Sequence, residues 1–205
     1  MLTQGQTIVF EGDSLTSRGA PPSYKTWPYL RLMNWHNTWA TKFEELLFAW
    51  RPDLRTKTVN LAAGGSNIKN MLERLDTLIM PCKPDWIVFT VGNNDPHQGI
   101  TADEFEKCFN QYKSKTDAKL VFIGGFCGDP FFDSAAPYYM KIKKAADGNR
   151  LHYLDAGTPL AQKAALLKES SELHTVFGDG VHLNELGAYI VAGTVLKFFR
   201  VFDGI

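Results

Sequence analysis

Short apolar runs recur along the chain, with longer stretches of three-and-four spacing between them. Thr7 to Phe10, Arg55 to Asn60, Trp86 to Val91, Leu120 to Gly124 and Leu151 to Asp155 are brief and hold branched and aromatic residues, which predicts five strands. Trp39 to Trp50, Ile68 to Ile79, Ala102 to Ser114 and Tyr138 to Asp147 repeat apolar side chains at helical intervals and predict helices between them. A last helix is expected over about Glu185 to Phe199, with Leu186, Ile190, Val191, Val195 and Phe198 on its packing face. Strands separated by helices need crossover connections, and these are right-handed in nearly all parallel pairs. The expected fold class is therefore α/β, a three-layer α/β/α, flavodoxin-like arrangement around a five-stranded, mainly parallel sheet.

At 205 residues and 44% hydrophobic content, one domain spanning 1–205 can bury a substantial core. A proline- and aromatic-rich insertion at about 18–37 interrupts the regular alternation. It holds Pro21, Pro22, Tyr24, Trp27, Pro28, Tyr29 and Trp35, either a wall on which a ligand stacks or a satellite cluster that packs the loop down.

Ligands of doubly wound sheets sit beyond the carboxyl ends of the strands. Ser14 follows the first predicted strand, Gly65 the second and Asn94 the third, so three loops converge on that edge. Alone, Gly12-Asp13-Ser14 after a strand reads as a turn and helix cap. What changes this is Asp179-Gly180-Val181-His182, on the loop leading into the last helix. It supplies an acid and an imidazole three residues apart, the two groups that convert a hydroxyl into an attacking oxygen.

Charge narrows the partners. Twenty-two basic residues balance 22 acidic ones, so the chain lacks the electrostatic footprint for nucleic acid or an anionic membrane. A small neutral molecule is the better partner, and a homo-oligomer is compatible with the composition. Residues 1–6 carry neither a basic leader nor an apolar stretch, and no segment has the length of a bilayer span, so a cytoplasmic location without membrane insertion is expected. Cys82, Cys108 and Cys127 are well separated and form no C-x-x-C pair, which predicts buried, reduced thiols. No His, Cys, Asp or Glu spacing suits a catalytic metal, and no cofactor is expected.

Four blocks in order, Gly12-Asp13-Ser14-Leu15, Asn60-Leu61-Ala62-Ala63-Gly64-Gly65, Gly92-Asn93-Asn94-Asp95 and Asp179-Gly180-Val181-His182-Leu183, resemble the SGNH hydrolases, also called the GDSL esterase and lipase family. The resemblance spans nearly the whole chain. It implies a catalytic triad of Ser14 as nucleophile, His182 as general base and Asp179 as its orienting acid. It further implies an oxyanion hole made by the backbone N–H of Ser14, the N–H of Gly65 and the side-chain amide of Asn94. Gly64 and Asn93 adjoin these positions, and the family pattern selects Gly65 and Asn94. Absence of a β-carbon at Gly65 would let the backbone approach the reacting oxygen. Asp13 is expected to face its own backbone and Asp95 to order its loop, neither serving as the triad acid.

The implied activity is that of a serine esterase hydrolysing short acyl esters through an acyl-enzyme. The aromatic insertion and Lys83-Pro84-Asp85-Trp86 are similar to carbohydrate acetylesterases of that family. Lysophospholipase or thioesterase action on longer acyl chains is the alternative within the enzyme class. A non-catalytic carbohydrate-binding module of the same fold is the rival outside it. A flavodoxin-like cofactor binder is disfavoured by the lack of a Gly-rich phosphate loop after the first strand. Candidate substrate contacts are Tyr24 and Trp27 in the insertion, His97 just beyond Asp95, and Phe126 in the apolar loop Gly124 to Phe132. A lone loop histidine is otherwise simply solvated. Cys127 in that same loop has no acid-ordered histidine beside it and reads as a buried thiol rather than a nucleophile.

Overall fold

The computed structural model describes residues 1–17, 38–127, 130–166 and 176–202. The strands β1 (Thr7–Gly12), β2 (Lys57–Asn60), β3 (Trp86–Thr90), β4 (Lys119–Gly124) and β5 (Leu151–Asp155) form one sheet in the order β2-β1-β3-β4-β5. Every neighbouring pair is parallel, with Val9 opposite Val59 on one side and Ile87 on the other. The central strands β1, β3 and β4 are nearly continuous apolar runs because both faces of a parallel sheet are covered by helices.

On one face, α1 (Trp39–Trp50) packs against α7 (Glu185–Phe198), which also meets α6 (Gly157–Leu166). On the other, α2 (Ile68–Arg74) packs on α3 (Ala102–Ser114), and α3 on α5 (Ala136–Ala145). A single turn, α4 (Pro130–Asp133), precedes α5. Phe10 sits at the centre of the first layer, edge-on to Trp39 and Phe43 at 5.3 and 5.5 Å between ring centroids. Phe89 and Phe122, from neighbouring strands, meet at 5.5 Å.

The expected α/β fold with a parallel sheet is present, with several local differences. α2 is regular only to Arg74, then widens through a π turn over Leu75–Ile79. α6 has no counterpart in the apolar pattern because only Gly157, Leu160 and Ala164 of its ten residues are buried, too few to mark a stripe. In α7 the buried face is Gly187, Ala188, Val191, Ala192, Val195 and Leu196, whereas Leu186 is exposed. Val191 and Val195 lie on that face as expected, and small residues, which carry little hydrophobic signal, complete the contact. The three cysteines are free as expected, yet none is fully buried, and Cys127 is exposed because the chain has already left β4. The insertion at 18–37, with Tyr24 and Trp27, lies outside the described residues. Among those described, no helix is long and apolar enough to cross a membrane.

Chain order around β1 positions the site. Its neighbours β2 and β3 leave on opposite sides, so the loops after β1, β2 and β3 open a crevice at the carboxyl edge of the sheet.

Candidate active site

The last residue of β1 sets the exit of the chain. Gly12 has φ of +119°, and a β-carbon there would lie 2.1 Å from the carbonyl oxygen of Thr90 on β3. Only glycine lets the two strands stay paired to their ends at this point. The carbonyl of Asp13 then accepts from the N–H groups of Thr16 and Ser17, at 3.1 and 2.9 Å, which curls the chain and lifts Ser14 out of the sheet. Ser14 is half-buried while its neighbours Asp13 and Leu15 are buried.

Asp13 holds that turn from below. Its Oδ1 accepts from the N–H of Leu15 at 3.1 Å and from Thr90 Oγ1 at 2.8 Å, and its Oδ2 from Asn93 Nδ2 at 2.5 Å. The hydroxyl of Tyr139 donates in turn to Asn93 Oδ1. Burial drives the Asp13 carboxyl up from its ordinary value, opposed by the hydrogen bonds from Asn93, Thr90 and Leu15. Asp13 thus faces its own backbone, as expected, but also anchors on β3 and on the loop after it. In the sequence Asn93 reads only as the neighbour of Asn94, and Tyr139 carries no signal at all because its partner lies 46 residues away.

The loop before α7 is built around Asp179. Its Oδ1 accepts from the N–H groups of Val181 and His182, at 3.0 and 2.6 Å, closing a tight turn, with Gly180 at φ +90°. A bridge between Phe177 and Leu183 closes the base of this turn, and Gly178 N–H donates to the carbonyl of His182 at 2.8 Å. Asn184 caps α7 by accepting from Gly187 N–H at 3.0 Å.

The remaining oxygen of Asp179, Oδ2, lies 2.8 Å from His182 Nδ1, and His182 Nε2 lies 2.9 Å from Ser14 Oγ. An ionised Asp179 accepts from Nδ1–H, which places the lone pair on Nε2, where it accepts from the serine hydroxyl. Burial works against the charge on Asp179, but the bond to the imidazole and the two backbone N–H groups outweigh it, and its pKa comes down to about 2. The acid is therefore an anion at neutral pH.

Gly65 and Asn94 stand on the loops flanking this row. Asn94 Nδ2 donates one hydrogen to the carbonyl of Ser66 at 3.0 Å, which fixes the side chain and leaves the amide a second donor. Gln98 Nε2 donates to the carbonyl of Gly65 at 2.7 Å. Among the described residues, the N–H groups of Ser14 and Gly65 donate to no protein acceptor. Glycine at 65 also has a conformational reason. Its φ is +76°, and a β-carbon would meet nothing within 4 Å, so backbone conformation selects glycine. Asp95 orders the loop as anticipated, accepting from the N–H groups of Ile68 and Gly92 at 2.9 and 3.0 Å, and burial lifts its pKa to about 6 against those bonds.

The expected substrate contacts divide. His97 is exposed, but it is not simply solvated: its ring stacks on Phe131 at 4.4 Å and its Nε2 lies 3.1 Å from Ser134 Oγ. Phe126 is buried, stacked on Phe132 at 5.8 Å, and so supports its loop rather than offering a face to a ligand in this structure. The segment from Gly124 to Phe132 is also less loop-like than expected, since α4 begins at Pro130. Among the described residues, no three His, Cys, Asp or Glu side chains gather to hold a metal ion. A recess of about 450 Å³ opens at the opposite, amino-terminal edge of the strands. Its Asp85 and Gln6 are already bound to Thr7 N–H and Trp86 Nε1, so it competes poorly with the crevice above Ser14.

An acetylxylan esterase from Geobacillus stearothermophilus superposes with a TM-score of 0.77 at 20% identity, over 96% of this chain and 94% of that one. A GDSL-like lipase from Parabacteroides merdae superposes with a TM-score of 0.79 at 15% identity, over 98% of each chain. At such identities the likeness establishes the fold. Comparison with curated proteins gives no match. The model of the GDSL-like lipase/acylhydrolase family matches residues 10–190, a span running from within β1 into α7 that takes in Ser14, Gly65, Asn94, Asp179 and His182. The chain belongs to that family and is a carboxylic ester hydrolase.

Proposed function

We propose that the protein is a serine esterase that removes short acyl groups, acetyl first among them, from a carbohydrate by way of an acyl-enzyme. The observation that carries this reading is the row Ser14 Oγ, His182 Nε2, His182 Nδ1 and Asp179 Oδ2, linked at 2.9 and 2.8 Å. Ser14 Oγ attacks the ester carbonyl as its proton passes to Nε2. Asp179 stabilises the imidazolium without taking the proton itself. The N–H groups of Ser14 and Gly65 and the second amide hydrogen of Asn94 receive the negative oxygen; each such donor is worth about 3 to 4 kcal/mol in the transition state. As the tetrahedral adduct collapses, His182 returns the proton to the leaving alcohol oxygen, and the acyl group stays on Ser14. Water then attacks the acyl carbonyl, giving its proton to Nε2, and the carboxylic acid departs as Ser14 Oγ is reprotonated.

The carbohydrate part of the proposal draws on the neighbours. Several of the superposed structures are of the acetylxylan esterase, including catalytic mutants in which a serine, a histidine or an aspartate three residues before that histidine is replaced by alanine. The same three-residue interval separates Asp179 from His182. The partner is then a small acetylated saccharide. A longer-chain lysophospholipase or thioesterase shares the chemistry and differs in acyl preference.

Hydrolysis of p-nitrophenyl acetate beside p-nitrophenyl octanoate, and of acetylated xylo-oligosaccharides, tests this directly. A fluorophosphonate probe and mass mapping identify the nucleophile. Acetate turnover with the label on Ser14 is expected, and Ser14→Ala loses both. Octanoate preference would transfer the assignment to lipid or thioester substrates, and absence of both turnover and label would overturn it in favour of a binding module.

A further inference from the structure

Arg74, the last residue of α2, has contacts that the reaction itself does not require. Its Nε donates to Glu11 Oε1 at 3.0 Å, and its Nη2 donates to the same oxygen. Its Nη1 donates to Ser66 Oγ at 2.9 Å, and Nη2 also approaches the carbonyl oxygen of Gly12 at 3.4 Å. Gly12 lies two residues before Ser14, and Ser66 directly follows Gly65. The carbonyl of Ser66 is also the acceptor that fixes Asn94. One planar guanidinium therefore touches both the strand end that delivers Ser14 and the loop that delivers Gly65, and through Ser66 it reaches Asn94. We propose that Arg74 is a positioning residue that sets the spacing of the three oxyanion donors, with Glu11 as its buried counter-charge. The inference rests on the esterase reading above.

Glu11 makes little sense as a packing residue. It is fully buried on a strand whose preceding residues Ile8, Val9 and Phe10 are apolar, and its Oε2 has no hydrogen-bond partner. Replacing a buried ion pair by apolar side chains is often neutral or stabilising, so the pair needs another reason to be there. Among the described residues, Tyr112 of α3, also buried and with an unpaired hydroxyl, is the other titratable group that faces Glu11. Burial pushes Glu11 up to about 7, and the charge and hydrogen bonds of Arg74 oppose that rise. The fork geometry matters as much as the charge. A guanidinium presents donors in several fixed directions, whereas a lysine ammonium is a point charge that cannot hold Glu11, Ser66 and Gly12 together.

Arg74→Lys separates these two roles, because it keeps the charge opposite Glu11 and loses the fork. On p-nitrophenyl acetate, kcat is expected to fall by about tenfold to a hundredfold with KM little changed, as for an ångström-scale misplacement of reacting groups. In an Asn94→Ala background the same substitution is expected to cost far less. An equal loss in both backgrounds would show that Arg74 does not act through the oxyanion donors as a set and would overturn the proposal. The ¹⁵N–¹H signals of the Gly65 amide and the Asn94 side chain provide a readout independent of turnover, and both are expected to move. Unmoved signals overturn the proposal even if the wild type proves inactive, an outcome that would separately defeat the esterase reading. Should Arg74→Lys fail to fold, Ser66→Ala removes a single arm of the fork, and wild-type kcat in that variant would also overturn it.

Discussion

Asp179→Asn is the substitution whose outcome follows most directly from the geometry. An amide has one oxygen where the carboxylate has two, so the substituted side chain can orient in two ways. In the first, its oxygen keeps the N–H groups of Val181 and His182, which Asp179 Oδ1 holds at 3.0 and 2.6 Å. The NH2 then faces His182 Nδ1, which must accept, and the ring proton moves to Nε2, where it points at Ser14 Oγ and blocks proton removal. In the second, the oxygen accepts from Nδ1–H and the productive tautomer survives, but two backbone donors are left facing an NH2 group. At about 1 kcal/mol or more for each bond lost, the second orientation lies about 2 to 3 kcal/mol higher, and the productive form falls to around one part in a hundred. Loss of the charge that stabilises the imidazolium removes about a further tenfold to a hundredfold. We expect kcat to fall by about 10³ to 10⁴, in line with the amide variant of the Ser-His-Asp template. The assay is p-nitrophenyl acetate turnover with active-site titration, alongside thermal unfolding to show that the fold is intact. A folded Asp179→Asn variant within about tenfold of wild type would refute both the tautomer argument and the assignment of Asp179.

Asn94→Ala should lower kcat by about a hundredfold or more with KM changed less, measured on the same ester; a wild-type rate removes Asn94 from the oxyanion hole. Gly12→Ala forces a β-carbon to 2.1 Å from Thr90 O at φ +119°, and should destabilise the fold by about 2 to 5 kcal/mol in denaturant titration, from overpacking and backbone strain together. Acid should release the Asp179 turn. The folded pKa of about 2 lies below the ordinary 3.8, so the stability it contributes is complete above pH 3.8 and is lost as pH falls toward 2. Glu11 has the opposite sign. Its folded pKa of about 7 lies above the ordinary 4.5, so the folded state holds the proton longer and this group's contribution weakens as pH rises from 4.5 to 7; Glu11→Gln should flatten the stability profile over that interval.

The parts of the molecule legible in the sequence are those whose physics is local. β5 and α3 can be bounded to the residue because a short strand with alternating Leu151, Tyr153 and an adjoining Leu154, and a three-and-four repeat, need no distant partner to be recognised. Asp179 and His182 can be paired from the sequence since they close on each other within one turn. What stays hidden depends on contacts across the fold. Arg74 looks like an ordinary basic residue at a helix end, and Glu11 like a polar residue past the end of a strand; only the parallel sheet brings α2 under β1. Asn93 and Tyr139 are invisible for the same reason. α6, and the part of the α7 face made by Gly187, Ala188 and Ala192, escape notice because glycine and alanine pack closely while adding little to an apolar pattern. Phe126 misleads because an aromatic residue in a loop has the same sequence signature whether it lines a crevice or fills the core beneath it.

The loop that holds Asp179 and His182 is closed by its own hydrogen bonds, yet the contact from His182 to Ser14 joins residues 168 apart in the chain. Synthesis therefore delivers the serine well before its imidazole partner. Until the loop of Asp179 and His182 has emerged and α7 has docked on α1, a growing chain cannot form this contact. On the triad proposed above, hydrolytic competence is then acquired only when this long-range contact forms, in the same step that docks α7 on α1.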